Sequence, residues 1–164
     1  MTAVPSLTVE HRQAIDLAKE RLVLGAEAWL DELDDARAPR LSHSQLRNLI
    51  AIAMETESPA VVTNYIRYQI GRAGRNDPWI KPESAGGTTG DRLIGELETG
   101  TVQEALAMVE GTLEKRGAAT LDGETSRRAR IELIRHFLGF ASRYLKYLEK
   151  AKPTERNRNS GGRR

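Results

Sequence analysis

Along this chain apolar residues return every three or four positions almost throughout, and the strict alternation of a half-buried strand is rare. That spacing predicts an all-α fold, a compact bundle of five or six helices. The first helix is expected from about Val9 to Arg37, with Ile15, Leu22, Ala26, Trp29 and Leu33 at helical spacing and Pro39 ending it. The second opens at LSHSQL. There Ser42 caps the free amides, Gln45 reaches back, and Leu41 packs on Leu46, a capping box with a hydrophobic staple. Its inner face is Leu46, Leu49, Ile50 and Ala53. The third starts at ESPAVV, with Ser58 as cap and Pro59 in the first turn. Val62, Tyr65, Ile66 and Gln69 lie on one side of it. It is expected to stop near Gly71 or Gly74, glycines that tolerate the positive φ of a helix end.

A long loop follows, RNDPWIKPESAGGTTG, and loops of this length are usually functional or disordered. A short helix from Asp91 to Glu98 then stops at Gly100. Thr101 and Glu104 repeat the capping-box pattern for a helix reaching about Arg116, which Gly117 ends. The last helix runs from about Ser126 to Lys152, with Pro153 beyond it. The tail TERNRNSGGRR has no apolar content and is expected to be disordered. Residues 1–152 thus read as a single helical domain and 153–164 as a disordered basic tail.

The last helix sorts its charge. Ile131, Ile134, Leu138, Ala141, Leu145 and Leu148 keep a three–four rhythm, and Leu133, Phe137, Phe140, Tyr144 and Tyr147 widen that face. The opposite strip carries Arg128, Arg135, Arg143, Lys146 and Lys150, with His136 on its edge and only Glu132 interrupting. Like charges at this spacing repel by tenths of a kcal/mol per close pair. Such a strip can follow a phosphate backbone, where each neutralised phosphate releases a counterion. It can equally be a solvated face or dock against acidic segments.

Charge elsewhere sharpens this picture. The 164 residues carry a net charge of only +2, distributed in blocks: −4 over 1–38, +3 over 39–82, −6 over 83–124 and +9 over 125–164. Alternation of this kind can build a positive surface on a nearly neutral protein, which suits a polyanion. There are no cysteines, so disulfides, thiolate metal sites and cysteine nucleophiles are excluded; a reducing cytoplasm is the expected location. No apolar run is long enough to span a membrane, and MTAVPSLTVEHRQ does not read as a secretory signal.

No catalytic pattern stands out along the chain. His11, His43 and His136 fall on three different helices, with no acid at ligand spacing. GTTGD at Gly87–Asp91 lacks the lysine and preceding strand of a phosphate loop, and Gly71/Gly74 lack the strand of a dinucleotide fingerprint. The acids of DELDD at Asp31–Asp35 oppose the dipole of a helix end and hint at a cationic partner. No nucleophile–base pair emerges. A non-enzyme without metal or cofactor is expected.

Three segments together resemble a known family: LSHSQLRNLI (41–50), YIRYQIGRAGR (65–75) and RIELIRHFLGFASRYLKYLEK (130–150). A serine-capped helix, a helix ending in a G-R turn and a C-terminal aromatic-basic helix follow in that order. This resembles the small subunit of type III-A CRISPR (Csm) effector complexes. The resemblance covers about 42 residues directly. It implies an all-helical, non-catalytic protein whose copies stack along the guide RNA–target RNA duplex, beside the backbone and large subunits. Carried over, the RNA-binding positions are Arg47, Arg67, Arg72, Arg75, Arg128, Arg135, Arg143 and Lys146. The loop Asn76–Gly90 and the acidic helix around Glu104–Glu114 depart from that pattern by their length. Arginine suits backbone contact without sequence readout, being always charged and planar. Two other readings compete: a helix-turn-helix DNA-binding regulator using SQLRNLIAIA as recognition helix, and a helical protein–protein adaptor.

Overall fold

A computed structural model describes residues 6–33, 41–83 and 86–151. The fold is all-α. Its helices are α1 (Val9–Glu32), α2 (His43–Glu55), α3 (Pro59–Arg72), α4 (Thr89–Glu98), α5 (Thr101–Lys115) and α6 (Gly123–Ala151), with a 3-10 turn at Pro78–Ile80. The last part of the expected first helix, Pro39, and the tail from 152 onward lie outside the described residues.

The longest helix, α6, is the axis of the bundle, and α1, α5, α3 and α2 pack on it while α4 joins α3 to α5. Its buried residues Ile131, Leu133, Ile134, Phe137, Leu138, Ala141, Leu145 and Leu148 form one face spanning roughly 160° of the helix. Phe137 meets Trp29 of α1, ring centroids 6.0 Å apart and tilted by 39°. Each such fully buried large apolar side chain stabilises the fold by about 1.5–3 kcal/mol. Both α1 and α2 pack on α6, whose remaining side carries exposed residues such as Arg143, Lys146 and Lys150.

Local chemistry fixes several ends as the sequence implies. Ser42 accepts from the Gln45 amide at 3.1 Å, and the Gln45 side chain accepts from the Ser42 amide at 2.9 Å. Leu41 and Leu46 are both buried. After α5, Gly117 takes φ 59°, the Ala118 amide donates to the Leu113 carbonyl and the Gly117 amide to that of Glu114. This paired closure needs a left-handed residue, hence glycine.

Other ends differ from expectation. Pro59 does open α3, but the Ser58 side chain makes no capping bond; its amide instead donates to Thr56 Oγ1 at 3.0 Å. Neither Gly71 nor Gly74 adopts positive φ: Gly71 lies inside α3, Ala73 closes the helix in an extended conformation, and Asn76 is left-handed, φ 73°. Thr101 and Glu104 form no capping box. Thr101 donates from its amide and hydroxyl to Glu96, while Glu104 pairs with Arg21 of α1. The helix α6 begins at Gly123, ahead of the expected Ser126, because Asp122 Oδ1 accepts from the amides of Glu124 and Thr125 at 3.1 and 2.8 Å. These bonds from Thr125, chiefly, hold the Asp122 carboxyl below the usual carboxylate range.

The long loop after α3 is clamped. Asp77 Oδ1 accepts from the Trp79 amide at 3.0 Å and from Gln45 at 3.3 Å, and Trp79 is buried in the core. Lys81 Nζ donates to the Leu33 carbonyl, and the Thr89 amide donates to the Lys81 carbonyl. Thr88 then caps α4 in a capping box with Asp91, which starts that helix at Thr89. His11 Nδ1 accepts from the Thr8 amide and its Nε2 lies 3.0 Å from the Ala119 carbonyl, tying α1 to the α5–α6 connection.

Candidate nucleic-acid interface

Of the basic positions singled out in the sequence, Arg47, Arg72, Arg75, Arg143 and Lys146 gather around one end of the bundle. The first turn of α2 is the hub. His43 Nε2 and Ser142 Oγ of α6 are 3.2 Å apart, and Gln45 reaches Asp77 in the loop after α3. Arg47 follows His43 by one helical turn on the same side of α2. Arg143 follows Ser142, and Lys146 lies on the next turn of α6. Arg72 ends α3, and Arg75 lies two residues before Asp77.

All five are exposed. Among the described residues Arg47, Arg72, Arg75 and Arg143 form no ion pair. Lys146 has only a loose one, 3.9 Å from Glu149, and is 72% exposed. Two of the guanidiniums lie over aromatic rings: Arg72 is 5.7 Å from the Tyr68 centroid and Arg143 is 5.8 Å from that of Phe140. Stacking of this kind orders a long side chain without neutralising it.

The other three positions are not part of this group. Arg135 corrects the sequence reading most sharply. Its side chain is only 14% exposed. Its guanidinium donates to the carbonyls of Ala53 and Thr56, both at 2.8 Å, and pairs with Glu57 at 3.2 Å and Glu132 at 2.9 Å. It closes the C-terminus of α2 and has little left to offer an external phosphate. Arg67 turns to α4, where it pairs with Glu98 at 3.3 Å. Arg128 stands 4.0 Å from Glu124 near the start of α6. At 1.5 Å per residue it is roughly 27 Å along the helix from Lys146. The continuous basic strip expected on α6 is therefore broken at its centre.

Residues the sequence reading assigned to the core complete the site. Tyr147 is 62% exposed. Its ring stacks on Tyr144, centroids 5.8 Å apart and 25° from parallel. The Tyr144 hydroxyl donates to Asp31 of α1 at 2.7 Å, and this bond, helped by partial burial, pushes the phenol up to about 12. His136 stacks on Phe140 at 6.2 Å; burial first, then the nearby Lys19, hold its imidazole below the ordinary range. The tyrosine spacing of three on a helix was the available sequence signal, but wheel geometry alone could not tell the edge of the core from its outside.

Comparison of the chain with known protein families, characterised proteins and solved structures finds no match. Among the described residues no cluster of histidine and carboxylate groups could hold a metal ion, and no helix is long and apolar enough to cross a membrane. What the arrangement offers chemically is a set of guanidinium and ammonium donors with aromatic planes between them, fit for a phosphate polyester.

Proposed function

We propose that this chain is a non-catalytic small subunit of a type III CRISPR effector ribonucleoprotein. It works in the cytoplasm, holding the backbone of the guide–target RNA duplex without reading sequence. Its protein partners are the backbone and large subunits and neighbouring copies of itself. One observation carries the reading. The three segments that resemble the family are far apart in the chain, yet the first touches the third through His43–Ser142 and is tied through Gln45–Asp77 to the loop two residues beyond the second, and each carries exposed bases. Arg47 comes from the first segment, Arg72 and Arg75 from the second, Arg143 and Lys146 from the third. A fold needing those arginines for its own stability would pair them, as it pairs Arg135.

The test is binding of a guide–target RNA duplex across a salt series. Reversing Arg72, Arg143 and Lys146 to glutamate should weaken binding at least tenfold at low salt. It should also flatten the salt dependence by roughly 0.9 for each lost phosphate contact. The circular dichroism of the variant should match that of the parent chain. Undiminished RNA affinity, or a sequence-selective footprint on duplex DNA in its place, would overturn the proposal.

A further inference from the structure

The cluster contains more than a backbone grip needs. A duplex hides the faces of its bases, so a protein that touches only its phosphates gains nothing from outward aromatic planes. Yet the second half of α6 carries one such plane, Tyr147, stacked on the half-buried Tyr144. We propose that Tyr147, flanked by Arg143, Lys146 and Lys150, is a stacking site for unpaired nucleobases of a single-stranded RNA segment. The inference rests on the RNA-binding reading above and names the form of RNA this part of the site takes.

The geometry argues for this in steps. A single exposed tyrosine is ordinary on a protein surface. This one is held. Tyr144 is anchored to α1 by its hydroxyl bond to Asp31, and Tyr147 lies stacked on it with its other face toward solvent. The ring is thus pre-oriented, and little freedom is lost when a base stacks on it. Arg143 and Lys150, four residues before and three after Tyr147, border it on the helix surface, within about 6 Å at Cβ. Lys146 adjoins it in sequence and is widely exposed. A base lying on Tyr147 therefore has its own phosphate beside cations. Alternating aromatic planes and cations are how sequence-tolerant single-strand sites are built. Charge favours this occupant over an apolar protein segment: on α6 between Arg143 and Lys150 three bases stand against Glu149 alone, and Asp31 of α1 is engaged by the Tyr144 hydroxyl.

The experiment uses the full chain and two probes of equal length: a twelve-nucleotide oligouridylate and an abasic ribose-phosphate strand. Anisotropy should show the oligouridylate binding more tightly. Tyr147→Ala should remove that preference, weakening the oligouridylate about 5- to 100-fold with little change for the abasic strand. Tyr147→Phe should restore it, since stacking needs the ring and not the hydroxyl. Met108→Ala, at an exposed apolar position on α5, should leave the preference in place. Equal binding of both strands by the parent chain would overturn the stacking site while preserving the backbone reading. Binding of neither strand would also overturn the stacking site, while the duplex titration described above decides the backbone reading on its own. If Tyr147→Ala leaves both RNA probes unaffected but releases a co-purifying protein subunit, Tyr147 belongs to a protein contact and the stacking site is wrong. The melting temperature should be unchanged in each variant, so loss of fold cannot imitate the result.

Discussion

The two halves of α6 use similar side chains for opposite purposes. In the first half, Arg135 points into the junction with α2 and every useful donor is taken by the protein itself. In the second half, two turns later, Arg143 lies exposed over Phe140 and forms no ion pair among the described residues. The aromatics divide likewise. Phe137 is wholly buried against Trp29, whereas Tyr147 turns its outer face to solvent. A neighbouring helix end decides the difference. Where α2 terminates, its unpaired carbonyls attract a guanidinium inward; where α2 begins, the helix end presents amide donors, that of Gln45 bonded to Ser42, and these offer a guanidinium no acceptor. Arginine on the polar side of a helix is thus a statement about charge, and its role depends on which end of a neighbour it meets.

The strongest way to break this contrast is through the aromatics. Phe137→Ala should cost about 3–5 kcal/mol from lost burial and the cavity left behind. Tyr147→Ala should stay within about 0.5 kcal/mol. Urea denaturation of the two variants measures both, and similar losses would erase the division. Next comes Arg135. Its replacement by alanine leaves buried carbonyls and nearby carboxylates without their donor, which should cost about 2–3 kcal/mol. Arg135→Lys should recover only part of this, because an ammonium cannot serve two carbonyls with a planar fork. Arg143→Ala, by contrast, should barely move the melting temperature.

Titration separates the halves more finely. Tyr144 has its phenol raised to about 12 by the bond to Asp31. Its contribution is therefore present below about pH 10, the unfolded value, and is lost as pH climbs toward 12. Ultraviolet titration should show this late ionisation, and Asp31→Asn should bring it back toward the ordinary range. The smallest effect expected is at His136, where the halves meet. Its lowered titration favours the neutral ring in the fold. That contribution is present above about pH 6.5 and lost as pH falls through the folded value. Proton NMR should follow the imidazole, and Lys19→Gln should move its midpoint upward by removing the second cause of the shift.

Much of this architecture could be read from the chain. The three–four spacing names the helices, and Ser42 with Gln45 fixes the start of α2, because a capping box is complete within four residues. What the pattern could not reveal depends on a partner distant in sequence. Glu104 resembles the end of a capping box but is engaged by Arg21, 83 residues away. Arg135 sits on the polar strip of a helical wheel and is buried only because α2 crosses there. Gly71 and Gly74 resemble helix stops, yet Asn76 takes the left-handed turn. At the candidate interface the bases were legible and their grouping was not, since grouping is a property of packing. Tyr147 was missed for the opposite reason: its neighbours on the wheel are apolar, and the wheel does not say where the bundle ends.

The bonds from Arg135 to the last carbonyls of α2 also bear on how the molecule opens. A helix that finishes its own C-terminus can fray and reclose alone. The end of α2 is finished by a side chain that belongs to α6, so losing α6 leaves those carbonyls bare and loosens the helix that presents Arg47. The two helices should then share one cooperative opening, and the amides of α2 should exchange with deuterium no more slowly than those around Arg135. A surface assembled from several helices is in this way made conditional on the axis of the bundle: it is present as a whole or absent as a whole.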